Sequence, residues 1–279
     1  MSPLDFNPES PDALRSLRTL AEDAARAGGK VARRYFGTDL GVRLKSDRSE
    51  VSEADEDAQE AVIDCIRARR PHDAFIAEEH LALAAAAAPS NALICWVIDP
   101  IDGTRNYVRR LPIYTCSVAA MYGGVPLVGA VYEPERERLY SASRSSGLFV
   151  DGEQRSTREE VPRARGLNPK PVVGLPSSPS GPIASLAHAW LDRFVCRCLG
   201  STALQLALVA AGELDGILVD NARLWDLAAG AVLIGAAGAR IAGPGGEPLF
   251  PIDVATYTDA EMPCIAGRVA VFDQLTQAP

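Results

Sequence analysis

Between residues 12 and 36 apolar side chains recur at Leu14, Leu17, Leu20, Ala24, Val31 and Phe36 among charged ones, a mostly helical period that predicts a first amphipathic helix. A polar stretch from Lys45 to Ser52 follows, and Ser52-x-x-Asp55 has the form of a helix N-cap with an acidic residue three places on. The second helix is therefore expected from about 54 to 69. From Ala74 the pattern shortens. Ala74 to Ala77 ends in Glu78-Glu79, and Ile94 to Ile98 ends in Asp99-Pro100; both read as buried strands with carboxylates at their C-terminal ends. Short runs at 114–122, 126–132, 138–142 and 148–150, separated by Gly-Gly, Glu-Pro-Glu and Ser-Ser-Gly, predict an antiparallel meander.

Residues 152–170 are charged and loop-like, which places a lobe boundary there: 1–155 as an N-terminal metal-binding lobe and 156–279 as a C-terminal α/β lobe, packed as one unit. The helix expected after Gly200-Ser201 and the one at 227–239 are apolar nearly all round, so each must be covered on both sides, as only a layered α/β body allows. No internal repeat is present. Leu81 to Ala88 is the nearest approach to low complexity, and reads as an exposed loop or short helix.

Composition narrows the function. The 279 residues carry 36 acidic against 28 basic side chains, a net charge of -8, and basic neighbours occur only as isolated pairs, which argues against sequence-independent nucleic-acid binding. The longest glycine-free apolar run, Leu81 to Ala88, falls far short of the roughly 18 residues of a spanning helix, and the first residues have no basic or apolar leader region. A soluble, cytoplasmic protein without a membrane partner is expected. Six scattered cysteines without a C-x-x-C motif read as reduced, mostly buried thiols, and Cys196-Arg-Cys198 as alternating strand positions.

Four acidic groups sit where the chain leaves a strand or enters a helix: Asp55, Glu78-Glu79, Asp99-Pro-Ile-Asp102 and Asp226. Singly, each has a structural explanation. Asp55 and Asp226 suit a first helical turn, Glu78-Glu79 a solvated edge, and Asp-Pro-x-Asp-Gly a turn. Together, two carboxylates three residues apart behind a buried strand, with Gly103 and Thr104 directly after, put oxygen ligands and free amides on one turn. Such a turn can hold hard cations and a phosphate. The three histidines, at 72, 80 and 188, have no ligand spacing, which disfavours zinc, and no Gly-x-Ser-x-Gly elbow supports a Ser-His-Asp triad. Two residues between Asp99 and Asp102 also differ from the Asp-x-Asp of haloacid-dehalogenase-type phosphatases.

The chain resembles the inositol monophosphatase family of Mg-dependent, lithium-sensitive phosphomonoesterases. The segments that carry this are Lys45-x-Asp47, Val51-Ser52-x-Ala54-Asp55, Ile76 to Glu79, Trp96 to Tyr107 with Asp-Pro-Ile-Asp-Gly-Thr at its centre, Gly200 to Leu204, and Trp225 to Gly230. The resemblance implies a layered α-β-α-β-α sandwich, an α/β (α+β) fold with an N-terminal antiparallel-sheet half, and a homodimer. It implies Mg²⁺ as cofactor, in two or three ions: one on Glu78, Asp99 and the Ile101 carbonyl, a second on Asp99, Asp102 and Asp226, and a weaker third on Glu78. Phosphate would lie on the Gly103 and Thr104 amides. Thr104, hydrogen-bonded to Asp55, would orient a metal-activated water and take its proton, with no phosphoenzyme.

The implied partner is a small phosphorylated metabolite contacted by Gly200, Ser201 and Asp220. Animal inositol enzymes carry a sugar-contacting Glu where this chain has Val219, so inositol specificity does not follow. Asp220 reads either as an acceptor for a substrate hydroxyl or as a structural strand-end carboxylate, and Arg223 either as the reader of a second anionic group or as a solvent-facing cation. Histidinol phosphate, fructose 1,6-bisphosphate and 3′-phosphoadenosine 5′-phosphate are alternative substrates of the same fold. A non-catalytic phosphometabolite-binding homologue is the alternative outside catalysis.

Overall fold

Helix α1 (Pro11–Tyr35) begins where the Ser10 hydroxyl accepts from the Ala13 amide at 3.3 Å, with Pro11 in its first turn and Arg33 and Arg34 in its last, and it buries the stripe from Leu14 to Ala32. The computed structural model describes residues 7–38, 43–44, 50–51, 53–79, 94–155 and 170–277. The loop at Lys45 to Asp47, Ser52 as a cap, the run Leu81 to Ala88, and most of the expected lobe boundary at 152–170 lie outside those residues.

After a two-residue ribbon of β1 (Arg43–Leu44) and β2 (Glu50–Val51), α2 (Glu53–Arg67) packs on α1. Seven strands follow as one sheet in sequence order: β3 (Ala74–Ala77), β4 (Cys95–Asp102), β5 (Thr115–Tyr122), β6 (Val125–Glu133), β7 (Arg138–Ser143), β8 (Gly147–Val150) and β9 (Glu153–Gln154). Every pair is antiparallel except β3 with β4, so the expected meander is present. A second sheet has the order β11-β10-β12-β14-β13, from β10 (Val172–Gly174), β11 (Val195–Arg197), β12 (Gly216–Val219), β13 (Arg240–Ala242) and β14 (Cys264–Gly267).

Five helices complete the described chain: α3 (Thr104–Val108), α4 (Gly181–Arg193), α5 (Thr202–Ala210), α6 (Leu224–Ala236) and α7 (Val269–Thr276). Helices α1 and α2 cover one face of the seven-stranded sheet through Leu17, Leu20, Val62, Trp96 and Val118. Its other face packs on α5 and α6, which the five-stranded sheet covers in turn, and that shared core explains why both helices are apolar all round. The outer face of the second sheet is closed by α4 and α7 through Trp190, Phe194, Phe272 and Leu275. The result is the expected α-β-α-β-α layering. The approach of α6 to the first sheet is so close that a Cβ on Gly129 would lie 2.6 Å from the Ala229 carbonyl oxygen.

Two details differ from the sequence reading. Strand β4 does not stop at Asp99. It continues to Asp102, which pairs with Thr115, and the register shifts between the two aspartates, so Pro100 sits in a bulge where its missing N–H costs no ladder bond. Of the cysteines, 95, 116 and 264 are buried, 65 and 196 are half-buried and Cys198 is exposed; all six are free thiols. No helix among the described residues is long and apolar enough to cross a membrane.

Candidate active site

The bulge in β4 turns the ends of Asp99 and Asp102 toward the first turn of α6. One carboxylate oxygen from each of Asp99, Asp102 and Asp226 falls within 4.8 Å of the others, with Asp99 and Asp102 buried. The local chain explains each placement. The Asp99 side chain accepts the Ile101 amide at 3.1 Å inside the bulge. Asp102 accepts from the Thr202 and Ala203 amides at 3.0 and 2.9 Å, from Thr115 at 3.3 Å, and from the Ser201 hydroxyl, so it closes the N-terminus of α5. Asp226, in the first turn of α6, accepts from the Arg223 amide. The structural explanation of Asp226 therefore holds alongside its convergence with the other two.

Three carboxylates cannot stay ionised at this spacing without a counter-charge. Burial pushes Asp99 well above the usual carboxylate range, and the charges of Glu78, Asp102 and Asp226 push it further. Asp226 is raised to about 8 by burial and by Asp102, against the pull of the Arg223 amide. Burial raises Asp102 too, opposed by the Ser201 hydroxyl and the amides of α5. An all-oxygen donor set with excess negative charge fits a hard divalent cation.

Glu78 leaves β3 beside this cluster, its amide donating to the Ile98 carbonyl at 3.2 Å. The next residue is clamped: the Glu79 amide donates to Gln59 Oε1 at 3.0 Å, and Gln59 Nε2 donates to the Glu79 carbonyl. Glu79 is buried, so the solvated-edge reading does not hold for it. Gln59 carried no signal in the sequence beyond its place on a helix face.

Gly103 has a left-handed backbone (φ 98°), and a Cβ there would meet the Ile113 and Gly200 carbonyl oxygens at 3.0 and 3.3 Å, so only glycine fits between β4 and α3. The Thr104 hydroxyl donates to the Ile101 carbonyl at 3.0 Å. Asn106 ties α3 to the segment after β11 by donating to the Ile113 and Leu199 carbonyls at 2.9 and 2.7 Å, a role the sequence did not disclose. Tyr107, packed edge-on against Tyr114, donates to the Ala32 carbonyl at 2.6 Å. Asp55 is fully buried in the first turn of α2, close enough for its charge to help raise the Tyr107 phenol behind the larger effect of burial.

A cleft of about 730 Å³ opens over the cluster. Glu78, Gly103, Thr104, Gly200, Ser201, Asp220 and Asp226 line it, while Asp99, Asp102 and Ile101 lie buried beneath. Ser201 also caps α5, its hydroxyl accepting from the Leu204 amide at 3.3 Å. Asp220 holds the neighbouring loop through the Ser180 amide at 2.7 Å and the Ser180 hydroxyl at 3.0 Å. Arg223 is paired with Asp259 at 2.6 Å and Glu261 at 3.3 Å.

A layered sandwich with an acidic, oxygen-only cluster beneath a cleft is also what known proteins of one family share in fold. The pattern of the inositol monophosphatase family matches residues 13–268, and the chain belongs to that family. It is 33% identical to the Nus factor SuhB of Pasteurella multocida, covering 78% of this chain and 81% of that one. It is 30% identical to the fructose-1,6-bisphosphatase/inositol-1-monophosphatase of Aquifex aeolicus, covering 95% of both. The crystal structure of the extragenic suppressor protein suhB from Bartonella henselae superimposes with a TM-score of 0.79 at 26% identity, covering 94% of this chain and 97% of that one.

Proposed function

We propose that the chain is a Mg²⁺-dependent phosphomonoesterase acting on a small phosphorylated metabolite of the inositol or sugar phosphate type. The observation that carries this is the convergence of Asp99, Asp102 and Asp226 at the floor of the cleft. Asp99, Asp102 and Asp226 would hold one ion and Glu78, Asp99 and the Ile101 carbonyl another, with Asp99 shared and a third ion leaning on Glu78. Bound ions supply positive charge that draws an anionic substrate into a net-acidic protein, acidifies water and steadies the departing alkoxide.

The protein's own groups do the rest. The amides of Gly103 and Thr104 face the phosphate, at a turn whose left-handed glycine is held between the Ile113 and Gly200 carbonyls. Thr104 and Asp55 orient the attacking water and receive its proton. Water oxygen bonds to phosphorus, the bond from phosphorus to the alcohol oxygen breaks, and the alkoxide leaves and takes a proton from solvent water, with no phosphoenzyme. Gly200, Ser201 and Asp220 form the wall on which the alcohol rests. We place the enzyme in the cytoplasm as a homodimer of two-lobed chains, with lithium inhibiting by taking an ion's position.

Release of inorganic phosphate from a panel of sugar, inositol, amino-alcohol and nucleotide phosphates, dependent on Mg²⁺ and lost with chelator, tests this reading and selects among the inositol, histidinol, fructose 1,6-bisphosphate and 3′-phosphoadenosine 5′-phosphate activities. The name of the Pasteurella relative, Nus factor, favours a second reading, a non-catalytic phosphometabolite-binding homologue. No release from any member of the panel would decide for it.

A further inference from the structure

The cleft has two cationic side chains in its lining, Arg105 and Arg223. Arg105 directly follows Thr104, at the end assigned to the reacting phosphate. Arg223 is then the one lining cation, among the described residues, left to meet a second anionic group, and it is already engaged. Its Nε donates to Asp259 at 2.6 Å, and its Nη1 approaches Glu261 at 3.3 Å and donates to the Asn221 carbonyl at 3.2 Å. The side chain is only a quarter exposed, so these contacts are partly shielded from solvent and salt.

The backbone is left-handed at the paired aspartate. Asp259 has φ 66°, a left-handed conformation that aspartate tolerates better than most side chains and that the loop adopts while presenting its carboxylate to Arg223. Asp259 also lines the cleft, as do Asp220, Asp226 and Glu78. A second phosphate would have to draw Arg223 away from two carboxylates and then lie against both of them.

We infer that the Arg223, Asp259 and Glu261 cluster is a specificity device that rejects substrates carrying a second phosphate, so that the alcohol part of the true substrate carries no further anionic group. This rests on the phosphatase reading and narrows it, removing fructose 1,6-bisphosphate and 3′-phosphoadenosine 5′-phosphate from the candidates.

The test compares fructose 1-phosphate with fructose 1,6-bisphosphate, by kcat/KM with Mg²⁺ and by calorimetric affinity of the same two ligands. The native chain should favour the monophosphate at least about tenfold, the scale of one charge-assisted hydrogen bond. Asp259→Asn with Glu261→Gln, which keeps the side-chain shapes and frees the guanidinium, should lower that preference about tenfold. Adding Arg223→Gln to the pair should restore it, which a merely structural role for the carboxylates would not produce. Equal use of the two substrates by the native chain, or a preference unmoved by the double variant, overturns the inference. If neither substrate is hydrolysed the catalytic reading fails, while the ratio of binding affinities still decides this one.

Discussion

The Ser201 hydroxyl donates to the Asp102 carboxylate across 99 positions of sequence, joining the bulged end of β4 to the first turn of α5. The same hydroxyl accepts from the Leu204 amide, so one small side chain caps a helix and holds an acidic group of the site. Ser201→Ala removes the cap and one of the donors that offset the burial of Asp102. We expect a loss of about 1–2 kcal/mol in stability, the ordinary cost of a lost N-cap. Thermal unfolding measures it, and an unchanged midpoint would remove Ser201 from this account.

The acidic cluster makes stability depend on pH in a direction opposite to that of a salt-bridged carboxylate. Asp226 keeps its proton to about 8 in the fold but loses it near 3.8 when unfolded, and Asp99 and Asp102 are shifted the same way. Between those values the native chain binds more protons than the unfolded one, so stability falls as pH rises through the window. Metal-free protein should therefore melt at a lower temperature at about pH 8.5 than at about pH 6, and added Mg²⁺ should raise the midpoint more at the higher pH. Equal midpoints in the absence of metal would contradict the charge crowding described for the cluster.

Thr104 touches the Ile101 carbonyl and faces the cleft. Its assigned work is to orient water with Asp55, so Thr104→Ala should slow turnover about 10²- to 10⁴-fold, the range of general acid-base assistance. Mg²⁺ affinity should change far less, because no threonine atom is among the assigned ligands. A variant that loses metal binding before it loses turnover would reverse the assignment.

What the sequence discloses is what lies within one element. The period of α1, the alternating runs of the first sheet, the all-apolar α5 and α6, and the spacing of Asp99 to Asp102 are local, and each recurs in the structure. Proline at 100 reads as the end of a strand, and only the pairing of Asp102 with Thr115 shows that the ladder resumes beyond it. The grip of Gln59 on Glu79, the tie from Asn106 to Leu199 and the pairing of Arg223 with Asp259 join elements whose approach no periodicity encodes. Ser201 is legible as well, since a serine ahead of an apolar run is itself a cap signal.

Asp99→Asn separates charge from shape. The amide keeps the side chain's volume and an oxygen to accept the Ile101 amide, but removes the carboxylate that Glu78, Asp102 and Asp226 all crowd. In metal-free protein near pH 8 the variant should be at least as stable as the native chain, because a neutral amide replaces a buried group that must either carry a crowded charge or hold a proton above its ordinary range. With Mg²⁺ the order should reverse, since the group assigned to both ions is gone and the native chain alone gains stability from binding. Turnover should fall about a thousandfold or more, the scale on which transition-state charge stabilisation is lost. The crossing of the two stability curves with and without Mg²⁺ is the discriminating readout: a purely structural Asp99 would leave the variant less stable in both, and a dispensable one would leave it unchanged in both.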